Sequence, residues 1–331
     1  MTRSVCVVVT TYNRPGILGK NIDALLSQNL DEDVDLEIII VDDHSKEENS
    51  LLAKEIANRS PIIKYHRNET NNGLSASRNA GAFISKSEFI LFLDDDIIAE
   101  PGYVMGHVNI LSKYPNVATV GSLRFPPDLT KDNNLMNYLT SRELRQRNFD
   151  ENFLSDLSPQ YLGGGICGMS KNTFSLVKGF SEDYLFYGGE DVEMGYMLSR
   201  NNVRIAYAES AKADHFDSVI IDRYRNKYIE SGREGIKLML KKNPYFYNNS
   251  SIRYILPISP DDSFSDRFCK FAVSIALSSY TEISLRFIAK LTNRYSLLYS
   301  KYLYHWLFAC WMFDGIKDEK FIAKSAVEYN G

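Results

Sequence analysis

Cysteine is scarce in this 331-residue chain: Cys6, Cys167, Cys269 and Cys310 lie far apart, and no CxxC pair occurs. That spacing supports neither a zinc site nor a disulfide framework, as expected of a protein from a reducing compartment. A surplus of positive charge is lacking too, since 38 Lys and Arg against 42 Asp and Glu leave a formal net charge of −4. The global electrostatic argument for a nucleic-acid partner therefore fails. No run of 18 residues is free of charge, which argues against a membrane-spanning helix. The first ten residues show no charged start followed by an apolar stretch, so no secretory signal is expected and a cytoplasmic setting is. Neither GxGxxG nor GxxxxGK[ST] follows a predicted strand, which leaves no Rossmann dinucleotide loop and no P-loop.

What is present is an alternation of buried strands and amphipathic helices. Val5–Val9 is an apolar run ending in Thr10-Thr11-Tyr12-Asn13-Arg14, and Pro15-Gly16 opens a helix, as Pro favours a first turn. Leu36–Val41 is a second strand closing on Asp42-Asp43-His44-Ser45, with a helix expected over about 46–58. A short strand at 62–65, a helix at 74–84, the run Phe89–Leu93 and a helix at about 102–113 follow. This order specifies an α/β protein with a doubly wound, mostly parallel sheet. Phe89–Leu93 runs straight into Asp94-Asp95-Asp96. Three adjacent carboxylates repel one another and are costly to desolvate unless a cation sits among them. Asp94 and Asp96 lie two apart, so in an extended segment they point the same way, as suits a hard divalent ion shared with a diphosphate. The strand ends at Thr10–Arg14, Asp42–Ser45 and Asp94–Asp96 all belong to the carboxyl rim, where open α/β sheets hold ligands.

Further on, 117–121 reads as a strand, and 125–158 as an irregular insertion on the acceptor side with a charged helical piece around Arg142–Arg147. The glycines of Gly163-Gly164-Gly165-Ile166-Cys167-Gly168 permit close backbone approach to a ligand or another strand. Tyr187-Gly188-Gly189-Glu190-Asp191 opens an amphipathic helix, where carboxylates at the N-terminus also serve as caps. A short strand at 205–208 precedes Ala213-Asp214-His215.

The motifs Val-Val-Val-Thr-Thr-Tyr-Asn-Arg, Ile-Val-Asp-Asp-His-Ser, Asn-Gly-Leu-Ser-Ala-Ser-Arg-Asn-Ala-Gly and Phe-Leu-Asp-Asp-Asp, in this order, resemble those of family 2 glycosyltransferases. The resemblance covers about residues 4–220 and implies the GT-A fold, a nucleotide-sugar donor and Mn²⁺ or Mg²⁺. Thr10, Tyr12, Arg14 and Asp43 would hold the nucleotide, with Asp43 accepting from the base, and Arg78 would reach the diphosphate. Asp94, Asp95 and Asp96 would form the DxD element, with Asp96, Asp94 and His215 around the metal. Gly-Gly-Glu-Asp is similar to the acceptor-side element of galactosyltransferase-like enzymes. It implies Asp191 as general base, Glu190 as orienting residue, and Tyr187, Gly188 and Gly189 beside the acceptor; Tyr187 stands where that element usually has Trp. An inverting transfer to a saccharide or lipid-linked glycan follows, with UDP ahead of GDP or dTDP and bacterial surface polysaccharide as the setting. A metal-dependent nucleotidyltransferase would need a glycine-rich basic loop after the first strand, which Thr10–Arg14 lacks. A non-catalytic sugar-binding module would not need Asp94, Asp96 and Asp191 together.

Residues 221–331 are expected to form a separate helical region. Residues 222–242 carry seven basic and three acidic residues in a helical pattern, either a solvated face or a surface for a diphosphate, an anionic lipid-linked acceptor or a membrane. The segment 263–329 reads as two or three aromatic-rich helices. They either pack on the catalytic domain or a second subunit, or lie at the inner face of a membrane.

Overall fold

The computed structural model describes residues 2–143, 157–186, 188–217, 220–243 and 251–317. They fall into two compact units. The first comprises Met1–Leu129, Thr140–Leu185 and Glu190–Asp217, and the second Thr130–Leu139, Phe186–Gly189 and Ser218–Gly331.

The first unit is α/β. Strand β1 (Arg3–Thr11) is buried from Val5 onward and pairs in parallel with β2 (Val34–Asp42) on one side and β4 (Phe89–Asp94) on the other. Strand β3 (Ile63–Arg67) extends the sheet beyond β2 and runs two residues past the expected end, because Asp42 still has Arg67 opposite it. Helices α1 (Pro15–Leu26), α2 (Glu47–Ala57), α3 (Gly73–Ile84) and α4 (Tyr103–Lys113) alternate with these strands and bury one apolar face each. Register puts Thr10 opposite both Val41 and Asp94, so the ends of β1, β2 and β4 lie level at one rim.

The other half of the sheet departs from the simple parallel expectation. Its order is β3-β2-β1-β4-β7-β6-β8-β5, with β5 at Ile97–Ala99, β6 at Val117–Arg124, β7 at Ile166–Ser170 and β8 at Arg204–His215. Strand β7 runs antiparallel to both β4 and β6, while β6 and β8 are parallel. The three-residue β5 carries no periodicity of its own; its pairing with Ala213–His215 makes it a strand. Strand β8 is 12 residues rather than four, because a register jump from Gly121–Ala208 to Ser122–Lys212 absorbs the interruption and pairing resumes beyond it. His215 is thereby fixed at the end of a strand, opposite Ile97.

In the second unit, helices Ile221–Glu230 and Ile236–Lys242 are joined by a five-residue π-helical turn. Three more helices follow at Phe264–Ala276, Ser279–Thr292 and Lys301–Ile316. Tyr304, Leu307 and Trp311 are buried in its core. The helix Asn134–Glu143, within the expected irregular insertion, begins in this unit, where the Asn134 side chain donates to the Thr292 and Tyr295 carbonyls. Most of the charged piece expected after Arg142, like Tyr187, lies outside the described residues.

Candidate active site

At the carboxyl rim of the first unit the three polar strand ends interlock. The Asp43 amide donates to the Thr11 carbonyl, and the Thr11 hydroxyl donates to Asp95 Oδ2 at 2.7 Å. Asn13 and His44 both adopt left-handed backbone (φ 58° and 62°), a conformation non-glycine residues adopt at a cost. Reciprocal hydrogen bonds hold those loops: the Asn13 amide donates to Ser45 Oγ, and the Lys46 amide to Asn13 Oδ1.

Asp43 is buried, and its carboxylate accepts from Asn68 Nδ2 (2.8 Å) and from the Asn72 and Gly73 amides (both 2.9 Å). Three of its roughly four lone-pair directions are thus used in shaping the rim, which leaves about one for a ligand. Thr10 is buried, whereas the Tyr12 ring is half exposed beside it in the chain.

The acidic triplet does not keep strand alternation. Strand β4 ends at Asp94 and the chain turns, so Asp94 and Asp96 face different cations, in contrast to the shared direction expected of an extended segment. Asp94 Oδ1 accepts from Arg78 Nη2 at 2.9 Å. Asp95 and Asp96 both meet Arg14 Nη1, at 3.1 and 2.6 Å, and Asp96 Oδ1 lies 3.5 Å from His215 Nε2. Burial alone would raise the Asp96 pKa, but His215 and Arg14 outweigh it and hold the carboxyl below its ordinary range. For Asp95 burial prevails over Arg14 and Thr11, and its pKa rises to about 7. Burial works to neutralise His215, yet Asp96, with Asp217 contributing, raises its pKa. Among the described residues no three His, Cys, Asp or Glu side chains assemble as a metal site. Asp96 and His215 come together, and Asp94 stands apart on Arg78.

Arg78 links the rim to the start of the Glu190–Arg200 helix. Its side chain is 3% exposed, and its guanidinium lies over the Phe180 ring, on Asp94, and 3.6 Å from Glu190 Oε1. The glycines of the 163–168 stretch make room for it. A Cβ at Gly164 would stand 2.5 Å from Arg78 Nη1, and one at Gly165 would stand 2.1 Å from Asp94 Oδ2. The Gly165 carbonyl accepts the Asp94 amide. Gly188 and Gly189, at φ 93° and 112°, take backbone that a side chain would strain just before Glu190.

Burial raises the Glu190 pKa to about 7, helped by the Asp191 charge and opposed by Arg78. Burial raises Asp191 as well, against backbone donors that include the Val192 amide at 2.8 Å. The two carboxyls titrate as a pair. Three polar atoms here, Arg78 Nε and Nη1 and Glu190 Oε2, are buried without a hydrogen-bond partner. Such groups are costly unless something completes them.

Several positioning residues escaped the sequence reading. Asn21, fully buried on the apolar stripe of α1, donates to the Asp94 and Ile97 carbonyls and fixes the acidic turn. An amide on an otherwise apolar helix face was the available signal. Asn68 orients Asp43, and the buried Asp217, two residues after His215, adds negative charge beside both His215 and Arg14.

Residues 6–175, just over half of the chain, match the profile of glycosyl transferase family 2, and residues 145–219 match that of the N-terminal domain of galactosyltransferase. The chain belongs to glycosyl transferase family 2. It is 28% identical over 305 residues to hyaluronan synthase of Pasteurella multocida, covering 83% of this chain and 30% of that protein. It is 25% identical over 273 residues to chondroitin synthase of Escherichia coli, covering 73% of this chain and 38% of that protein. The chain thus spans about a third of the length of these relatives. The mannosyltransferase PcManGT of Pyrobaculum calidifontis, in complex with GDP-Man and Mn²⁺, matches with a TM-score of 0.63 at 15% identity, over 96% of this chain and 87% of that one. The fold is that of GT-A glycosyltransferases.

Proposed function

We propose that this enzyme moves a sugar from a nucleoside-diphosphate sugar, UDP-linked in the first instance, to a saccharide hydroxyl with inversion at the anomeric carbon. The observation that carries this reading is the buried Arg78, shared by Asp94 and Glu190 and left with two nitrogens, Nε and Nη1, without a hydrogen-bond partner beside an unfilled Glu190 oxygen. A donor diphosphate on one side and a sugar hydroxyl on the other are the kinds of group that would complete them. Thr10, Tyr12, Arg14 and Asp43 border the nucleotide, with Asp94 and Asp95 shaping its phosphate end. Glu190 orients the acceptor. Asp191 Oδ takes the proton of the acceptor hydroxyl as its oxygen bonds to the anomeric carbon. The bond from that carbon to the diphosphate breaks, and its electron pair leaves on the phosphate oxygen. A hydroxyl is a poor nucleophile at neutral pH, so a carboxylate with a raised pKa is suited to accept that proton.

Relatives of this fold are found with Mn²⁺, and the residues here fit a divalent cation in part. The Asp96 oxygen and His215 nitrogen lie 3.5 Å apart, near the spacing of neighbouring ligands on one ion, and the buried His215 Nδ1 has no hydrogen-bond partner. Asp96 and His215 would supply two ligands to Mn²⁺ or Mg²⁺, with phosphate oxygens and water as the others. When bound, such an ion supplies positive charge where the departing diphosphate accumulates negative charge. The setting that accords with the hyaluronan synthase and chondroitin synthase relatives is assembly of a bacterial surface polysaccharide, on a free or lipid-linked glycan.

The test is a panel of nucleotide sugars and saccharide acceptors with Mn²⁺, Mg²⁺ or EDTA, reading released nucleotide and the anomeric configuration of the product by NMR. One donor should be consumed in a metal-dependent way and yield the inverted linkage. Asp191→Asn should bind that donor without turnover. Retained configuration, or transfer by Asp191→Asn at the wild-type rate, would overturn the reading.

A further inference from the structure

Two helices of the second unit are built inside out. On Phe264–Ala276 the stripe Phe264, Phe268, Phe271 and Ile275 faces solvent, each side chain between 56% and 88% exposed. The buried side of the same helix carries Lys270, held by Asp262 and the Pro257 carbonyl. On Ser279–Thr292, Tyr280, Ile283, Phe287 and Leu291 are between 56% and 85% exposed. Its buried side carries Glu282, which accepts from Arg225 and Trp311 and forms an ion pair with Arg286. Spacings of three, four and seven residues make each set one continuous face. A helix free to settle in water buries such a stripe and exposes its charges. Here ion pairs lock the opposite choice, so the apolar face is presented outward and calls for an apolar partner.

Charge separates the candidate partners. Residues 263–306 hold six Lys or Arg against two Asp or Glu. The four charged residues of this segment that are exposed, Arg267, Lys290, Arg294 and Lys301, are all basic, and of these Lys290 is paired with Asp222 at 2.7 Å. The chain as a whole carries −4, so this basic rim is a local feature. Apposing it to the same rim of a second copy would set like charges together, whereas an anionic bilayer complements it. The aromatic fringe has the composition of a membrane–water boundary: Tyr295 and Tyr302 are exposed, and Trp306 is 45% exposed with its N–H on the Ala276 carbonyl. No helix among the described residues is long and apolar enough to cross a membrane, which agrees with a surface mode of attachment.

We infer that the Phe264–Ala276 and Ser279–Thr292 helices dock on an anionic lipid surface, their aromatic stripes entering the acyl boundary and their basic rim meeting the headgroups. The experiment is cosedimentation of the full chain with vesicles of phosphatidylcholine alone or mixed with phosphatidylglycerol. A parallel assay reads tryptophan quenching by brominated lipid, with Trp306 as reporter because Trp311, the other tryptophan, is fully buried. The wild type should pellet with the mixed vesicles, much less with phosphatidylcholine alone, and its fluorescence should be quenched. Substituting Phe268→Ser, Phe271→Ser and Phe287→Ser together should lower the partition constant by at least about tenfold while leaving circular dichroism unchanged. A wild-type chain that stays in the supernatant and is not quenched would overturn the inference. So would a dimer that dissociates on the triple substitution while vesicle binding is unaltered, because a second copy would then be the occupant.

Discussion

The carboxylates that close β4 and those that open the Glu190–Arg200 helix are chemically alike and share one arginine, yet proton affinity differs from one carboxylate to the next. Asp96 has two cationic neighbours, Arg14 and His215, and stays below the ordinary carboxyl range despite its burial. Asp95 shares Arg14 with it and rises to about 7, and Glu190, facing, among the described residues, only the Arg78 that also serves Asp94, rises as far. The number of positive groups per buried carboxylate decides which one remains an anion and which is poised to exchange a proton near neutrality. One rim can then serve a departing phosphate with fixed charges, while the neighbouring turn manages a hydroxyl proton.

The sharpest way to break that contrast is Asp191→Asn. Under the proposed base role kcat should fall by about 10³-fold with donor affinity retained, as general bases contribute roughly that much. Isothermal titration for the donor and steady-state rates separate the two quantities. Next in size is Arg78→Met, which removes the cation that Asp94 and Glu190 share. Taking one partner from a buried charge cluster costs about 3 kcal/mol, so urea unfolding should show a loss of that order.

Glu190→Gln tests the protonation half of the comparison. The folded pKa of Glu190 is raised from 4.5 to about 7. Its stabilising contribution is therefore complete below about pH 4.5 and disappears as the pH climbs through 7. The glutamine variant should match the wild type near pH 4 and exceed it by about 3 kcal/mol above pH 7, by denaturant midpoint. Identical pH profiles for the two proteins would show that Glu190 is not held neutral. The smallest expected effect is that of Arg14→Met. The arginine side chain is 42% exposed, so water screens its pairs with Asp95 and Asp96 and the loss should be under about 1 kcal/mol. Its signature is instead a higher Asp95 pKa, readable by carboxyl NMR titration.

Much of the carboxyl rim was legible because local signals and topology agree there. Apolar runs Val5–Val9, Leu36–Val41 and Phe89–Leu93 can only be buried strands, and parallel pairing brings their polar ends level. What escaped depended on partners distant in sequence. Strand β5 exists because Ala213–His215 runs beside it, and Asp94 parts from Asp96 because the chain turns as soon as Arg78 has taken the first carboxylate. Asn68 looks like an ordinary polar residue until the loop it ties is in place. The glycines 163–165 could be read as permitting close approach, but only the fold identifies Arg78 and Asp94 as the atoms that would collide with a side chain.

The shared guanidinium of Arg78 also has a thermodynamic consequence. Its charge is part of what restrains the proton affinity of Glu190. A diphosphate that neutralised that charge would let the carboxyl hold its proton more tightly, so donor binding near pH 7 should draw a fraction of a proton out of solution. Calorimetry in buffers of differing ionisation heat would register that uptake as a buffer-dependent enthalpy, a direct reading of how the two sides of the cleft communicate.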